Sequence, residues 1–214
     1  MSNISTIANL ATAGGTLVLG AATFASVRSG QRSARIAERS LLIGLRPVLA
    51  AARPDQITED VRFGDGQTVE IPDGGGAAVL ESDGSLYMVI PLRNVGSGLA
   101  VLHGWHVTEG HPQTTEHTEV DDFRPLQRDL YVPSGDTGFW QGAVREDDDP
   151  YRRAVTSALA DGESLTVDLL YGDHEGGQRT ISRFVLSPRE DQERGWLSGV
   201  TRHWYLEAAD PRQR

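Results

Sequence analysis

Beyond residue 45 the apolar positions fall two apart. In LYMVIPLR, Leu86, Met88, Ile90 and Leu92 share one face, and Tyr87, Val89, Pro91 and Arg93 share the other. That period is the mark of a half-buried β-strand. Pro91 cannot donate to a ladder, which predicts a sheet edge or a bulge at that point. Leu165, Val167, Leu169 and Tyr171 repeat the pattern, and QRTISRFVLS follows after GDHEGG, predicting a hairpin with a Gly-containing loop. Further strands are expected at 46–52, 68–71, 77–81, 99–108, 126–132, 138–144 and 198–207. In the last of these, Val200, Trp204 and Leu206 share an even-numbered face. Eight or more short strands with turn signals between them predict a mainly β, antiparallel β-sandwich over 46–214. Strands do not alternate with long helices, so a doubly wound parallel sheet is not expected. One short helix near 150–160 interrupts the strands. Asp149 stands as its N-cap, Pro150 in its first turn and Gly162 just past its end. Tyr151, Val155 and Leu159 would pack it on a sheet.

The N-terminal pattern differs. ISTIANLATAGGTLVLGAATFASV, residues 4–27, carries no charge. At about 1.5 Å per residue it is long enough for a bilayer core of about 30 Å. A cleaved signal peptide is the rival reading, but MSNISTIAN lacks the basic n-region such a peptide needs. The basic residues Arg28, Arg32, Arg35 and Arg39 follow the span instead, so the large domain is expected on the cytoplasmic side. The expected organisation is a transmembrane helix at 1–27, a basic juxtamembrane helix at 28–45 and the β domain at 46–214. Ala11 with Gly15, and Ala21 with Ala25, lie four apart and permit close helix packing, so a homo-oligomer through the membrane helix is an expectation.

Charge sharpens this division. Residues 1–53 hold six Arg against one Glu, whereas residues 54–214 hold 14 Arg against 29 acidic residues. Residues 54–214, at −15, repel phosphate backbones, so nucleic acid is not an expected partner. There is no Cys, which excludes disulfides, thiolate metal sites and a Cys nucleophile.

LRNVGSGLAVLHGW, residues 92–105 with its preceding strand, superficially resembles a phosphate-binding loop. Such a loop needs a helix after its glycines, yet β-forming residues follow Gly96 and Gly98, and the chain has no Lys. The alternative is a turn between two core strands, with the glycines supplying positive φ and Asn94 bonding local backbone. The segment 103–122 is rich in His and acids. His103 and His106 differ by three and would face opposite sides of a strand. His111, Glu116 and His117 lie in a polar loop and are the candidate metal ligands, supporting a metal-binding enzyme or sensor as the alternative function. The run REDDDPY lacks the order of a calcium loop. No nucleophile elbow is present. Trp105, Trp140, Trp196 and Trp204 are expected to pack in the core or at its rim.

The pattern N-x-G-x-G-x-A over 94–100, followed by Y-x-D-x-x-G over 171–176, resembles a group of mostly uncharacterised bacterial membrane proteins, associated with actinobacteria. They share one N-terminal membrane helix, a juxtamembrane helix ending near Arg-Pro, here Arg46 and Pro47, and an immunoglobulin-like sandwich. Leu99 stands where that pattern often shows Pro. The resemblance implies the fold and the anchor; it carries over no catalytic or cofactor-binding residues. The expected function is therefore non-enzymatic: a single-pass plasma-membrane (inner-membrane) protein whose cytoplasmic domain binds an unknown protein partner. An exposed sheet edge, with the strand bearing Pro91 as candidate, is the expected docking element.

Overall fold

Among the described residues eleven strands form: ten fall on the expected segments, and one, Glu59–Arg62, was not expected from the pattern. The structure, a computed structural model, describes residues 19–20, 23–38, 40–41, 44–112, 114–189 and 195–207. The chain divides into two units, Met1–Gly44 and Leu45–Arg214. In the first, α1 (23–38) is helical, as are residues 19–20, 40–41 and 44, and every described residue of these is exposed. The basic helix expected at 28–45 is thus helical over most of its described length. No helix among the described residues is long and apolar enough to cross a membrane. Of the span expected at 4–27, residues 4–18, 21 and 22 lie outside the described residues.

The second unit contains β1 (Leu49–Ala51), β2 (Glu59–Arg62), β3 (Thr68–Ile71), β4 (Gly76–Ser82), β5 (Ser85–Asn94), β6 (Ala100–Glu109), β7 (Arg124–Val132), β8 (Thr137–Val144), α2 (Arg152–Asp161), β9 (Leu165–Gly172), β10 (Thr180–Pro188) and β11 (Trp196–Tyr205). Nine of the strands form one curled antiparallel path, β1-β5-β4-β11-β10-β9-β6-β7, with β8 on β5. Its two faces, β1/β4/β5/β8 and β6/β7/β9/β10/β11, join where β11 meets β4, by Trp196 with Ala77, Leu197 with Gly76 and the Ser198 N–H donating to Gly75 O at 3.3 Å. Leu86, Met88, Ile90 and Leu92 meet Leu165, Val167, Leu169 and Tyr171 in the core between them. The architecture is mainly β and sandwich-like.

The half-buried reading of β5 needs correction, because it is buried on both faces. The β2–β3 hairpin lies over its outer side, where Val61, Phe63, Val69 and Ile71 pack on Tyr87 and Val89. Phe63 meets Tyr87 edge-to-face at 4.9 Å. Burying each large side chain there contributes about 1.5–3 kcal/mol, which favours a two-sided strand over an exposed one. Pro91 is likewise not on an edge strand. The Asn94 N–H donates to Asp136 O at 3.0 Å, which turns the even positions of β5 toward β8 and the odd ones away. On that far side the β4 ladder stops at Val89 and the β1 ladder starts at Leu92. The N–H that Pro91 lacks therefore falls in a gap between two partners.

Two bulges overturn parity arguments. In β6, Leu102 opposes Tyr171 and Gly104 opposes Leu170, leaving His103 as an inserted residue. His106 then opposes Asp168, and the His103 ring lies beside Gly172, both on the outer face. The two imidazoles are not on opposite sides. In β11, Arg183 opposes Arg202 and Phe184 opposes Val200, leaving Thr201 inserted. Val200 consequently packs on the main core, whereas Trp204 packs outside with Phe123, Leu170 and Ile181.

The helix forms where expected, with a different start. Its N-terminal boundary residue is Tyr151, and no side chain caps it in the usual geometry. Asp149 acts from two residues earlier, accepting the Tyr151 N–H at 2.9 Å. Gly162, at φ 66°, ends the helix in the left-handed conformation. Tyr151, Val155 and Ala158 form the buried face, with Leu159 only partly buried beside them.

Candidate functional site

The 92–105 stretch is a turn between β5 and β6, as the β reading requires. Its glycines serve a different purpose from the one expected. Gly96 and Gly98 are not among the positive-φ residues. Instead a Cβ at Gly98 would land on the Leu45 carbonyl, and one at Gly96 on the backbone of Arg46 and Val48. The residues entering the domain run directly against this turn, with Val95 N–H on Val48 O at 2.8 Å and Ser97 N–H on Arg46 O at 3.2 Å. Asn94, fully buried, ties three segments together. Its amide donates to Gly98 O (2.6 Å) and Val132 O (2.9 Å), while its oxygen accepts from Val48 N (3.2 Å) and Gly96 N (3.0 Å). All four bonding positions of the side chain are used. This is a structural knot.

The polar loop after β6 folds over the outer face of β9 and β10. It covers an ion pair between Asp168 and Arg183, 2% and 5% exposed, which face each other across the strands. The pair is bidentate, with both Nε–Oδ1 and Nη2–Oδ2 at 2.8 Å. Thr118 from the loop donates to Asp168 Oδ2 at 2.7 Å, and Trp204 Nε1 donates to Thr115 O at 3.2 Å. The Arg183 guanidinium also lies 4.9 Å from the Trp204 ring centre. These contacts fasten the loop. The metal candidates sit around that fastening: His111 and Glu116 are exposed, and half-buried His117 places Nδ1 2.8 Å from Thr118 O. Among the described residues no three His, Asp or Glu side chains gather in a metal-holding group. Burial holds the His106 and His103 imidazoles below the usual histidine range. The ion pair was missed in the sequence, although its signal was there: single charges inside TVDLLY and ISRFVL.

A second buried polar chain joins residues distant in sequence. The Leu49 N–H donates to Tyr171 OH (3.1 Å), which bonds Ser182 Oγ (2.9 Å), which in turn bonds His203 Nδ1 (2.6 Å). Burial pushes the Tyr171 phenol up to about 12. Ser182 is fully buried, so the hydroxyl acts as a tie between strands. The acidic run is a solvated approach to α2. Asp149 pairs bidentately with Arg124, at 2.8 Å on both oxygens. Burial raises the Asp149 carboxyl, but Arg124 and the Tyr151 amide outweigh it and hold the group below the usual carboxylate range. Asp147 and Asp148 stay exposed.

Among the described residues, the sheet edge that no charge, Pro or bulge blunts is that of β8, not the strand bearing Pro91. Over its eight residues, TGFWQGAV, it pairs with β5 alone, and it carries no charge and no Pro. The other edges are blunted by features that hinder strand addition. β7 has Pro125, Arg128, Asp129 and a register break against β6. β2 and β3 are four residues long and carry Glu59, Asp60, Arg62 and Glu70. β1 has three residues, and β11 has its bulge and Arg202. Sequence reading found β8 as a strand but not as an edge, because edge status depends on partners far along the chain. No protein-family model, curated protein or solved structure matches the chain.

Proposed function

We propose that the chain is a single-pass plasma-membrane protein whose immunoglobulin-like β-sandwich serves as a non-catalytic interaction or scaffold module on the cytoplasmic face. The observation that carries the module reading is the open, uncharged edge of β8 beside edges that are blunted. Anchoring is supported by the uncharged stretch at 4–27 and by Arg28, Arg32, Arg35 and Arg39 directly after it. Arg28, Arg32 and Arg35 lie along one side of α1, exposed, and each is worth about 1 kcal/mol near an anionic surface. The asymmetry between this basic helix and the acidic domain fits a chain with its domain held off the lipid.

Membrane vesicles of opposite sidedness test the reading. A C-terminal epitope on the full chain should be digested by added protease in inverted vesicles and protected in right-side-out ones. The reverse pattern rejects the cytoplasmic orientation. Recovery of the chain in the soluble fraction after a carbonate wash rejects the anchor.

A further inference from the structure

We infer that the free edge of β8 receives an extended segment of a partner protein, uncharged along its middle and basic at the end that lies beside Glu146 and Asp148. The inference rests on the interaction-module reading and gives its partner a chemistry. Even positions of β8 face β5, by the register of Met88 with Gly142 and Ile90 with Trp140. Phe139, Gln141 and Ala143 therefore direct their backbone N–H and C=O groups away from the sheet. The Thr137 amide is already taken by Asp136 Oδ1 at 2.8 Å, so the open ladder begins at Phe139.

Side chains on both sides of this edge restrict what can lie next to it. Phe139 and Ala143 pack partly on the outer cluster, and Trp140 and Val144 lie in the main core. A neighbouring strand would continue these two apolar layers, which calls for small uncharged residues in its middle. Past Val144 the character changes. Arg145 is held by Asp65 at 2.7 Å, and Asp149 is held by Arg124. Glu146 and Asp148 are exposed, and the Asp147 side chain is wholly exposed, 3.3 Å from Arg152. Asp147 is thus engaged by Arg152, and the carboxylates left for the basic end of an incoming chain are the exposed Glu146 and Asp148, with Arg153 exposed on the adjoining helix. The domain's excess of 29 acids over 16 Arg also repels a second copy of itself, which favours a basic partner over self-pairing.

The full chain in detergent micelles, titrated against labelled peptides by fluorescence anisotropy, tests this. The probes are alternating Thr/Val peptides of about eight residues with an Arg pair at one end or the other. Controls carry a Glu pair instead, or N-methyl groups on alternate amides. One Arg-ended peptide should bind saturably, and both N-methylation and the Glu pair should weaken it about tenfold or more. Gln141→Pro removes an amide that points out of the sheet, so it should weaken binding about tenfold while the circular dichroism spectrum is unchanged. If that variant misfolds, Gln141→Lys takes its place with the same expectation. The inference is overturned if no Arg-ended peptide binds below about 1 mM. Equal binding of the N-methylated peptide overturns it too, since that is charge attraction without strand pairing. Equal binding of the Glu-ended peptide removes the basic partner. Self-association that Gln141→Pro abolishes assigns the edge to a second copy. A chain that stays in carbonate-washed membranes yet binds no peptide fails this inference alone and leaves the anchor standing.

Discussion

At the scale of single residues, the turn at 94–98 shows how one small side chain can be demanded by a distant part of the chain. Gly98 is needed because Leu45 comes up against it, and nothing in positions 92–105 announces that approach. Gly98→Ala should therefore cost on the order of 3 kcal/mol, read as a lower urea midpoint. Gly64→Ala, where a Cβ meets nothing within 4 Å, should leave the midpoint within about 0.5 kcal/mol of wild type. If the two variants unfold alike, close backbone approach is not the reason for Gly98. His106 gives a second test. Its folded pKa lies below the unfolded value of about 6.5, chiefly through burial. Below that value the unfolded chain takes up a proton before the folded one, so stability falls as pH drops through the window between the two. Melting temperature should decline from pH 7.5 toward 5.5, and His106→Gln should flatten the slope. Asp149 adds a loss at lower pH still, as its depressed carboxyl is protonated.

At the scale of elements, alternation was legible wherever a strand kept its parity. The faces of β5 and β9, the β9–β10 hairpin and the position of α2 all follow from local pattern. What local pattern could not convey is pairing. The bulges at His103 and Thr201 shift parity because of what their neighbours do, and the β2–β3 hairpin covers β5 from some twenty residues away. The loop over β9 and β10 is the other such element, and its fastening can be probed directly. Arg183→Met leaves Asp168 buried without its cation and should cost about 3–5 kcal/mol. Amide exchange across 114–119 should accelerate in that variant, because Thr118 and Trp204 lose their shared support. Pairing the change with Asp168→Leu should recover much of the stability but not the loop protection, since Thr118 then loses its acceptor. Full recovery of both would mean that the ion pair does not hold the loop.

At the scale of the whole molecule, charge and topology act together. The excess of acidic groups in the second unit should repel itself, so the unfolding midpoint of the full chain should rise as NaCl goes from about 20 to about 300 mM. A midpoint that falls with salt would show that ion pairs such as Asp65–Arg145 outweigh the repulsion. The division into a basic helix and an acidic sandwich was readable from composition, and the free edge only from the assembled sheet. The knot at Asn94 has a mechanical consequence. Any pull transmitted from the first unit enters the domain at Arg46–Val48. There it meets the Val95 and Ser97 amides, the Asn94 oxygen and, at the first residue of β1, the Tyr171 hydroxyl. Tension would thus be spread at once over β5, β9 and the β7–β8 connection. The entry to the domain is built as a clamp, and a stretched chain should part elsewhere first.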